Sequence, residues 1–195
     1  MEFNWQSFLE QFSQSLLADD NIRAQQSQET LNSRWLGFPG ASPEEIRTIE
    51  ERLGIEIPLS YRRFLQTSNG WRNSGSFIHR VWSVQEIVWF KENHQQWISA
   101  YTDPKHKLPT MSEEDYHRYG EEQDPTSFRP EYLQTALQIS DVGDSAVYLL
   151  NPKVVTNEGE WEAWFFANWL PGADRYRSFQ ELMEAEYRNF LALSG

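Results

Sequence analysis

The sequence predicts an α+β fold, with a mixed, largely antiparallel sheet and helices packed beside it. Three stretches predict it. Residues 40–71 contain the start and stop signals of two consecutive helices, residues 136–167 contain strand-like runs separated by turn residues, and residues 178–191 contain a final amphipathic helix. Because the strand-like runs follow one another with short turns between them, antiparallel pairing is favoured.

The paired helices of residues 40–71 carry the clearest local signals in the chain. Ser42 is a good N-cap, and Glu45 completes a capping box three residues later. Gly54 can adopt the left-handed conformation that ends a helix, and Pro58 begins the second helix. The apolar positions that recur at helical spacing are Ile46, Ile49, Leu53, Tyr61, Phe64 and Leu65.

One run within this stretch matches a known pattern, G-x-S-x-x-E-I-x-x-x-E-x-x-L-G-x-x-I-P-x-x-Y-x-x-F-L-x-x-x-N-G. It is carried by Gly40, Ser42, Glu45, Ile46, Glu50, Leu53, Gly54, Ile57, Pro58, Tyr61, Phe64, Leu65, Asn69 and Gly70. The run resembles the signature of the Smi1/Knr4 family, within the SUKH superfamily. The resemblance implies a small SUKH-like α+β domain. In bacteria such domains often serve as immunity proteins that bind toxins, and fungal relatives are associated with cell-wall synthesis and signalling. The motif itself is scaffold and does not identify a partner.

The domain organisation follows from this resemblance and from composition. Residues 1–33 are expected to form an N-terminal helix and a polar segment, which either continues as a helix or forms a linker. Residues 34–195 are expected to form the Smi1/Knr4-like domain. Within it, about residues 103–132 hold four prolines and a run of charges. We interpret this part as an excursion that is free to vary without harming the core, with one short helix at residues 112–119.

The remaining elements are predicted from β-formers and turn residues. Residues 76–82 predict a strand, and a capping box from Ser83 to Glu86 predicts a helix through about residue 101. Asn151-Pro152 is expected to break one strand, with Val154 and Val155 continuing the sheet or its edge, and a hairpin turn is expected at residues 157–159. The other predicted strands are residues 136–139, 146–150 and 160–167, the last of them buried on both faces.

Composition and charge restrict the class of partner. Aromatic residues make up 15% of the 195 residues, enough for a core of large side chains, and there is no cysteine for a disulfide or a thiolate site. The formal net charge of −12 should repel nucleic acid and anionic membranes and attract basic proteins, although acidity can also serve solubility alone. With no signal peptide or apolar span in view, a cytoplasmic protein is expected.

The usual catalytic and cofactor motifs are not seen in the sequence. The four histidines lack the i, i+4 spacing of a helical metal site, and neither a Gly-x-Ser-x-Gly elbow nor a glycine-rich phosphate loop occurs. Acid pairs such as Glu44-Glu45 could divide acid and base roles, but most such pairs are solvated helix faces. Glu50 is expected to make a structural hydrogen bond or cap contact. We therefore expect no enzyme, no cofactor and no metal.

The leading hypothesis is a non-catalytic protein-binding domain. The resemblance indicates an immunity protein, and the charge indicates a basic toxin, such as a nuclease, whose basic surface would be masked. A regulatory adaptor of the Smi1/Knr4 type is the alternative, and an enzyme acting on an acidic or sugar-like substrate is the third. Among the tryptophans near turns, Trp97 and Trp169 are further candidates. The predicted partner-binding residues are Glu113, Glu114, Asp115, Glu121, Glu122, Asp124 and Trp71.

Overall fold

The computed structural model shows an antiparallel sheet with helices on both of its faces, so the predicted α+β class is confirmed. None of the helices that the structure describes is long and apolar enough to cross a lipid bilayer. The described residues are 2–75, 77–103, 105, 111–124, 126 and 128–193.

The elements are numbered in chain order. The helices are α1 (Trp5–Leu16), α2 (Asp20–Ala24), α3 (Gln28–Ser33), α4 (Pro43–Leu53), α5 (Leu59–Thr67), α6 (Phe90–Asn93), α7 (Gln95–Thr102), α8 (Glu113–Tyr116) and α9 (Phe179–Leu193). The strands are β1 (Trp71–Arg72), β2 (Arg80–Val81), β3 (Val88–Trp89), β4 (Leu137–Gln138), β5 (Ala146–Val155), β6 (Trp161–Ala167) and β7 (Ala173–Tyr176). Short 3-10 helices lie at Gly120–Glu122 and Pro130–Thr135.

The main sheet has the strand order β3-β4-β5-β6-β7, and every neighbouring pair is antiparallel. Its centre is the β5–β6 hairpin, in which Val147 is paired with Phe166. Strands β1 and β2 form a second small sheet. A bridge from Val81 to Ser140, and an N–H bond of 2.8 Å from Trp82 to the carbonyl of Ile139, join this small sheet to the chain just beyond β4.

Helices α4 and α5 begin and end where the sequence predicts. The capping box of α4 makes both of its bonds, and Gly54 ends the helix at φ 72°. Helix α5 has no side-chain cap of its own at Pro58. Instead the carboxylate of Glu160, at the start of the β6 region, accepts bonds from the backbone N–H (2.8 Å) and hydroxyl (2.5 Å) of Ser60. This long-range cap, of a kind that contributes about 1 kcal/mol, ties α5 to the sheet.

Glu50 has the structural role expected for it. Its carboxylate accepts a hydrogen bond of 2.9 Å from the backbone N–H of Ile57 and one of 2.5 Å from the guanidinium of Arg62. The two contacts fix the loop between α4 and α5, which sets the angle at which the two helices pack.

The first face of the sheet packs against α1, α4, α5 and α9. Phe179 of α9 is the centre of an aromatic cluster on this face. Its ring lies 5.6 Å from Trp5 of α1, and 4.8 Å and 4.9 Å from Tyr61 and Phe64 of α5. Helix α1 therefore shares one core with the paired helices of residues 40–71. Residues 19–33, whose structure the sequence pattern left open, contain α2 and α3.

The second face of the sheet is covered by α6, α7 and the 3-10 helix Pro130–Thr135. Strand β6 is buried along its whole length, as predicted. Tyr116 and Phe128, which lie in the predicted excursion, are also buried. The expectation that this part is free to vary without harming the core is therefore wrong, because its aromatic side chains cover the sheet. The buried apolar residues of the second face are Phe90, Ile98, Phe128, Leu133, Ala136, Val147, Leu149, Trp164, Phe166 and Ala173.

The helix predicted from Ser83 to about residue 101 is shorter than expected. Ser83 and Glu86 make the capping contacts, with an N–H bond of 3.1 Å, but these contacts close a turn. The next residues form β3, and the helical part begins only at Phe90. Val88 and Trp89 are a β-branched and an aromatic residue, and pairing with β4 places them in the sheet. Tertiary pairing thus outweighs the local helix signal.

Other strand predictions are corrected in their extent. Strand β5 runs through Asn151-Pro152 to Val155, because an irregular register between Asn151 and Val155 accommodates the proline. Strand β7 was not predicted, since its four residues, ADRY, show only a weak alternation of apolar and polar side chains. Of the strand predicted at residues 76–82, only Arg80–Val81 is a strand, and Ser76 lies outside the described residues. The hairpin turn at residues 157–159 is confirmed, with Gly159 at φ 81°.

A carboxylate is buried between the first face and α9. Glu186 accepts a hydrogen bond of 2.6 Å from the hydroxyl of Tyr148, which also bonds to Ser74 at 3.2 Å. The backbone at Gly75 is so close that a Cβ there would lie 2.6 Å from Glu186 Oε2. Burial, with a smaller contribution from the charge of Asp174, raises the pKa of Glu186 to about 7. The native protein therefore holds a proton here that the unfolded chain releases above pH 4.5.

We predict that Glu186→Gln changes how stability depends on pH. Because the pKa of Glu186 is raised in the folded state, the stability that this residue contributes to the wild-type protein is complete below about pH 4.5. That stability is lost as the pH rises through about 7. Gln keeps an acceptor for Tyr148 and carries no charge. Relative to wild type, the variant should gain roughly 2–3 kcal/mol of unfolding free energy between pH 5 and pH 8. Urea unfolding at each pH checks this, with Glu184→Gln on the same helix as control. A difference that does not vary with pH would contradict the prediction.

Candidate functional site

The predicted acidic residues lie on one ordered segment, residues 112–124, which we call the acidic segment. It contains α8, whose N-cap Ser112 accepts a bond of 3.0 Å from the backbone N–H of Asp115, and the 3-10 helix Gly120–Glu122. The short helix predicted within residues 112–119 is confirmed. All six carboxylates are exposed, namely those of Glu113, Glu114, Asp115, Glu121, Glu122 and Asp124.

A buried carboxylate on the sheet anchors this segment. Glu162 of β6 is only 1% exposed, and it accepts hydrogen bonds from the hydroxyls of Tyr116 (2.8 Å) and Tyr119 (2.9 Å). It also accepts bonds from the side chain of Asn151 (3.0 Å) and the indole of Trp164 (2.7 Å). Two strands and the acidic segment therefore meet at one charged group, which water does not reach.

Arg175 of β7 is the counterion of Glu162. It is fully buried, and its Nη1 lies 3.2 Å from Glu162 Oε1. The same guanidinium donates to the backbone carbonyls of Tyr116 and, at 3.4 Å, Arg118, and it lies 4.3 Å from the centre of the Tyr116 ring. One cation therefore binds both the sheet carboxylate and the backbone of the acidic segment.

Gln123 attaches the acidic segment to the open edge of the sheet. Its side-chain amide donates to the carbonyl of Arg175 (3.1 Å) and accepts from the N–H of Arg175 (2.6 Å). Strand β7 is the last strand of the sheet, and an unpaired edge strand can recruit other chains. Gln123 occupies one residue of that edge in the way that another strand would.

The anchoring tyrosines are held in their protonated form. Burial, and then the negative charge of Glu162, raises the pKa of Tyr116 and of Tyr119. Both hydroxyls therefore remain donors to Glu162 across the physiological pH range. The anchor does not loosen by losing these protons.

The acidic segment is only partly neutralised by its neighbours. Glu113 forms an ion pair of 2.5 Å with Arg129, whose hydrogen bond lowers the pKa of that carboxyl, and Arg118 lies 3.2 Å from Asp115. Within the described part of the chain, Glu121 and Glu122 form no ion pair. They carry their charge into solvent next to the anchored 3-10 helix.

Trp71 is a correction to the predicted contact residues. The side chain is fully buried, with its ring 5.4 Å from Trp35 and 6.1 Å from Phe12. It follows α5 directly into β1, where the first core forms, so it has no face to offer a partner. Trp97 is half-buried against Phe90 at 5.6 Å. Trp169 is 50% exposed.

The anchoring residues Glu162, Arg175 and Gln123 were not identified from the sequence. One signal was present for Glu162, because a charged residue within a strand that is apolar on both faces must find donors inside the protein. Arg175 lies in a strand that was not predicted, and Gln123 lies in a polar run whose sequence gives no local sign of a partner. Among the described residues, no group of three His, Asp or Glu side chains is arranged to hold a metal ion.

We predict that breaking the buried pair destabilises the protein strongly. Glu162→Gln leaves Arg175 buried without a counterion, and Arg175→Met leaves Glu162 in the same state, so each should cost roughly 3–5 kcal/mol. Glu162→Gln combined with Arg175→Met should cost clearly less than the sum of the two. Urea unfolding measures all three. Glu44→Gln, which breaks the exposed ion pair with Arg47, is the control and should leave the unfolding midpoint close to that of wild type. A Glu162→Gln protein as stable as wild type would refute the anchoring role.

The model of the SMI1 / KNR4 family (SUKH-1) matches residues 40–193. Among curated proteins no match was found. The family match begins at the Gly40 that opens the signature run and continues through the sheet, the anchored acidic segment and α9. The chain therefore belongs to the SMI1/KNR4 (SUKH-1) family.

Proposed function

We propose that this protein is a non-catalytic protein-binding domain, an immunity protein that neutralises a basic toxin by covering its basic surface. The observation that carries the proposal is the acidic segment, which presents six exposed carboxylates on a backbone anchored to the core. Membership of the family supports the class of function, and the net charge of −12 supports the sign of the partner's surface.

The anchoring matters because binding by a fixed surface costs less conformational entropy than binding by a mobile loop. Tyr116 and Tyr119 hold α8 and the chain that follows it, so Glu113–Tyr116 and Gly120–Glu122 keep a defined spacing of charges. A protein that acts on nucleic acid carries a groove of Lys and Arg side chains for phosphates. A fixed row of carboxylates can occupy such a groove, exclude the substrate and speed association through long-range attraction.

Co-expression tests the proposal directly. Each reading frame that flanks the gene is expressed in a bacterial host alone and together with this protein. The proposal expects one frame to be toxic alone and harmless in the pair, and the two products to purify as a complex. If no flanking product is toxic, or if protection occurs without a complex, the proposal fails. A complex with a non-toxic product would instead favour the regulatory adaptor.

We predict that Glu121→Gln combined with Glu122→Gln slows association with the toxin roughly tenfold at low salt. The reason is that both charges face solvent without an internal ion pair. The dissociation rate should change less, and the difference should shrink as added salt screens the attraction. Surface plasmon resonance at several salt concentrations measures both rates.

The matched control is Glu10→Gln combined with Glu92→Gln. Glu10 is exposed on α1, which packs on the first face of the sheet, and Glu92 is exposed on α6, outside the acidic segment; the control makes the same change in net charge. It should associate at nearly the wild-type rate. Equal slowing by both double variants would mean that overall charge, and not the acidic segment, governs binding.

A further inference from the structure

A second exposed surface lies outside the acidic segment and is aromatic. Phe77 and Trp169 are 36% and 50% exposed and lie together, which is unusual for large apolar side chains. Val142, 44% exposed, precedes Gly143, whose backbone packs against that of Phe77. The rings of Phe77 and Trp169 are 5.2 Å apart, and both pack on Phe165 of β6, at 5.9 Å and 6.0 Å. We call these four residues the aromatic surface.

The aromatic surface is held in place by its loops. The indole N–H of Trp169 donates a hydrogen bond of 2.9 Å to the carbonyl of Asp144. The backbone of Gly143 packs so closely on Phe77 that a Cβ there would lie 1.8 Å from the Phe77 carbonyl oxygen. The indole of Trp169 and the backbone of Phe77 are therefore fixed before any partner arrives, which lowers the entropy cost of binding.

Carboxylates surround this surface. Asp174 of β7 is paired with Phe165 across the sheet, so the two side chains lie next to each other on the same face. Asp174 is half-buried, and burial raises the pKa of its carboxyl. Within the described part of the chain it forms no ion pair. A desolvated acid without a cation is costly, and an arriving cation would relieve that cost.

The charges on the loops have the same sign. Asp144 is exposed beside Trp169, and Asp141 is half-buried next to Val142. Asp141 accepts a bond of 3.1 Å from the backbone N–H of Arg80, and the guanidinium of Arg80 is the permanent positive charge near it. The Arg80 guanidinium is paired with Glu86. The area around the aromatic rings is thus acidic on balance.

The aromatic surface is separate from the acidic segment. Trp169 follows the end of β6, whereas Glu162, which anchors the acidic segment, lies at its start. Glu162 and Ala167 are five residue steps apart along an extended strand, a separation of roughly 17 Å. A contact at one surface therefore does not require a contact at the other.

We propose that the aromatic surface binds an Arg or Lys side chain of a protein partner, with the rings of Phe77 and Trp169 facing the cation and Asp174 and Asp144 as its counterions. Tryptophan is the strongest aromatic partner for a cation. Asp174 supplies negative charge beside Phe165, the residue on which both rings pack. Val142 contacts the apolar stem of the same side chain.

A small-molecule probe tests this assignment without any knowledge of the partner. N-acetyl-argininamide carries the guanidinium, and N-acetyl-citrullinamide is its neutral counterpart of nearly the same shape. Titration is followed by the indole N–H signal of Trp169 in two-dimensional NMR, which is identified by its loss in Trp169→Phe. We expect a saturable shift with the arginine probe, with a dissociation constant on the order of tens of millimolar, and none with the citrulline probe.

Variants place the binding at the named residues. Asp174→Asn should weaken binding of the arginine probe at least threefold, because it removes the counterion while keeping the side-chain shape. Val155→Ala, which shortens an exposed apolar side chain elsewhere, should leave the shift unchanged. Equal shifts with both probes, no saturable shift, or an unchanged affinity in Asp174→Asn would overturn the assignment.

Self-association is the other explanation of an exposed aromatic surface. Sedimentation of wild type and Trp169→Ala over a hundredfold range of concentration distinguishes it. A dimer that Trp169→Ala abolishes would mean that a second copy covers the surface, and the assignment would be wrong. A monomer in both cases agrees with it. Because neither experiment uses the toxin, failure of the proposed immunity function and failure of this inference are told apart.

Discussion

A charge buried between protein layers must be satisfied by protein groups, and this constraint at Glu162 organises the second face of the fold. Its carboxylate accepts bonds from Tyr116, Tyr119, Asn151 and Trp164 and faces Arg175. Moving any of these groups leaves a buried polar atom without a partner. The free-energy cost of that exceeds the net contribution of a typical hydrogen bond. The acidic segment is therefore held in one position by the same energetics that hold β5, β6 and β7 together.

The sequence was most informative where the signal is local. The capping box of α4, the left-handed Gly54 and the apolar stripe of α5 each depend on neighbours within one or two turns, so the helices of residues 40–71 were predicted correctly. The burial of β6 on both faces was also predicted correctly, because every residue of that strand but one is apolar. That one exception, Glu162, was visible in the sequence but its partners were not.

The failures are all cases in which distant residues decide. The capping box at Ser83 closes a turn because β4, some fifty residues later, recruits the following residues into the sheet. Trp71 is a tryptophan beside a turn, a type of residue that is common at interfaces, but Phe12 of α1 and Trp35 pack against it and bury it. The acidic segment looked like a free loop because its anchors, Glu162 and Arg175, lie far away in the chain. Such contacts have no local periodicity to reveal them.

Glu162 and Glu186 are both buried glutamates, one on each side of the sheet, and their surroundings stabilise them in different ways. Glu162 has a cation and four neutral donors, so its environment is complete and its surroundings are rigid. Glu186 has the hydroxyl of Tyr148, and its raised pKa reflects burial and the nearby Asp174. Glu186 therefore meets its burial by holding a proton, whereas Asp174, on the same face, has no ion pair within the described part of the chain. Asp174 lies beside Phe165, on which the ring of Trp169 packs, so the unpaired carboxylate and the aromatic surface occur on the same side of the sheet.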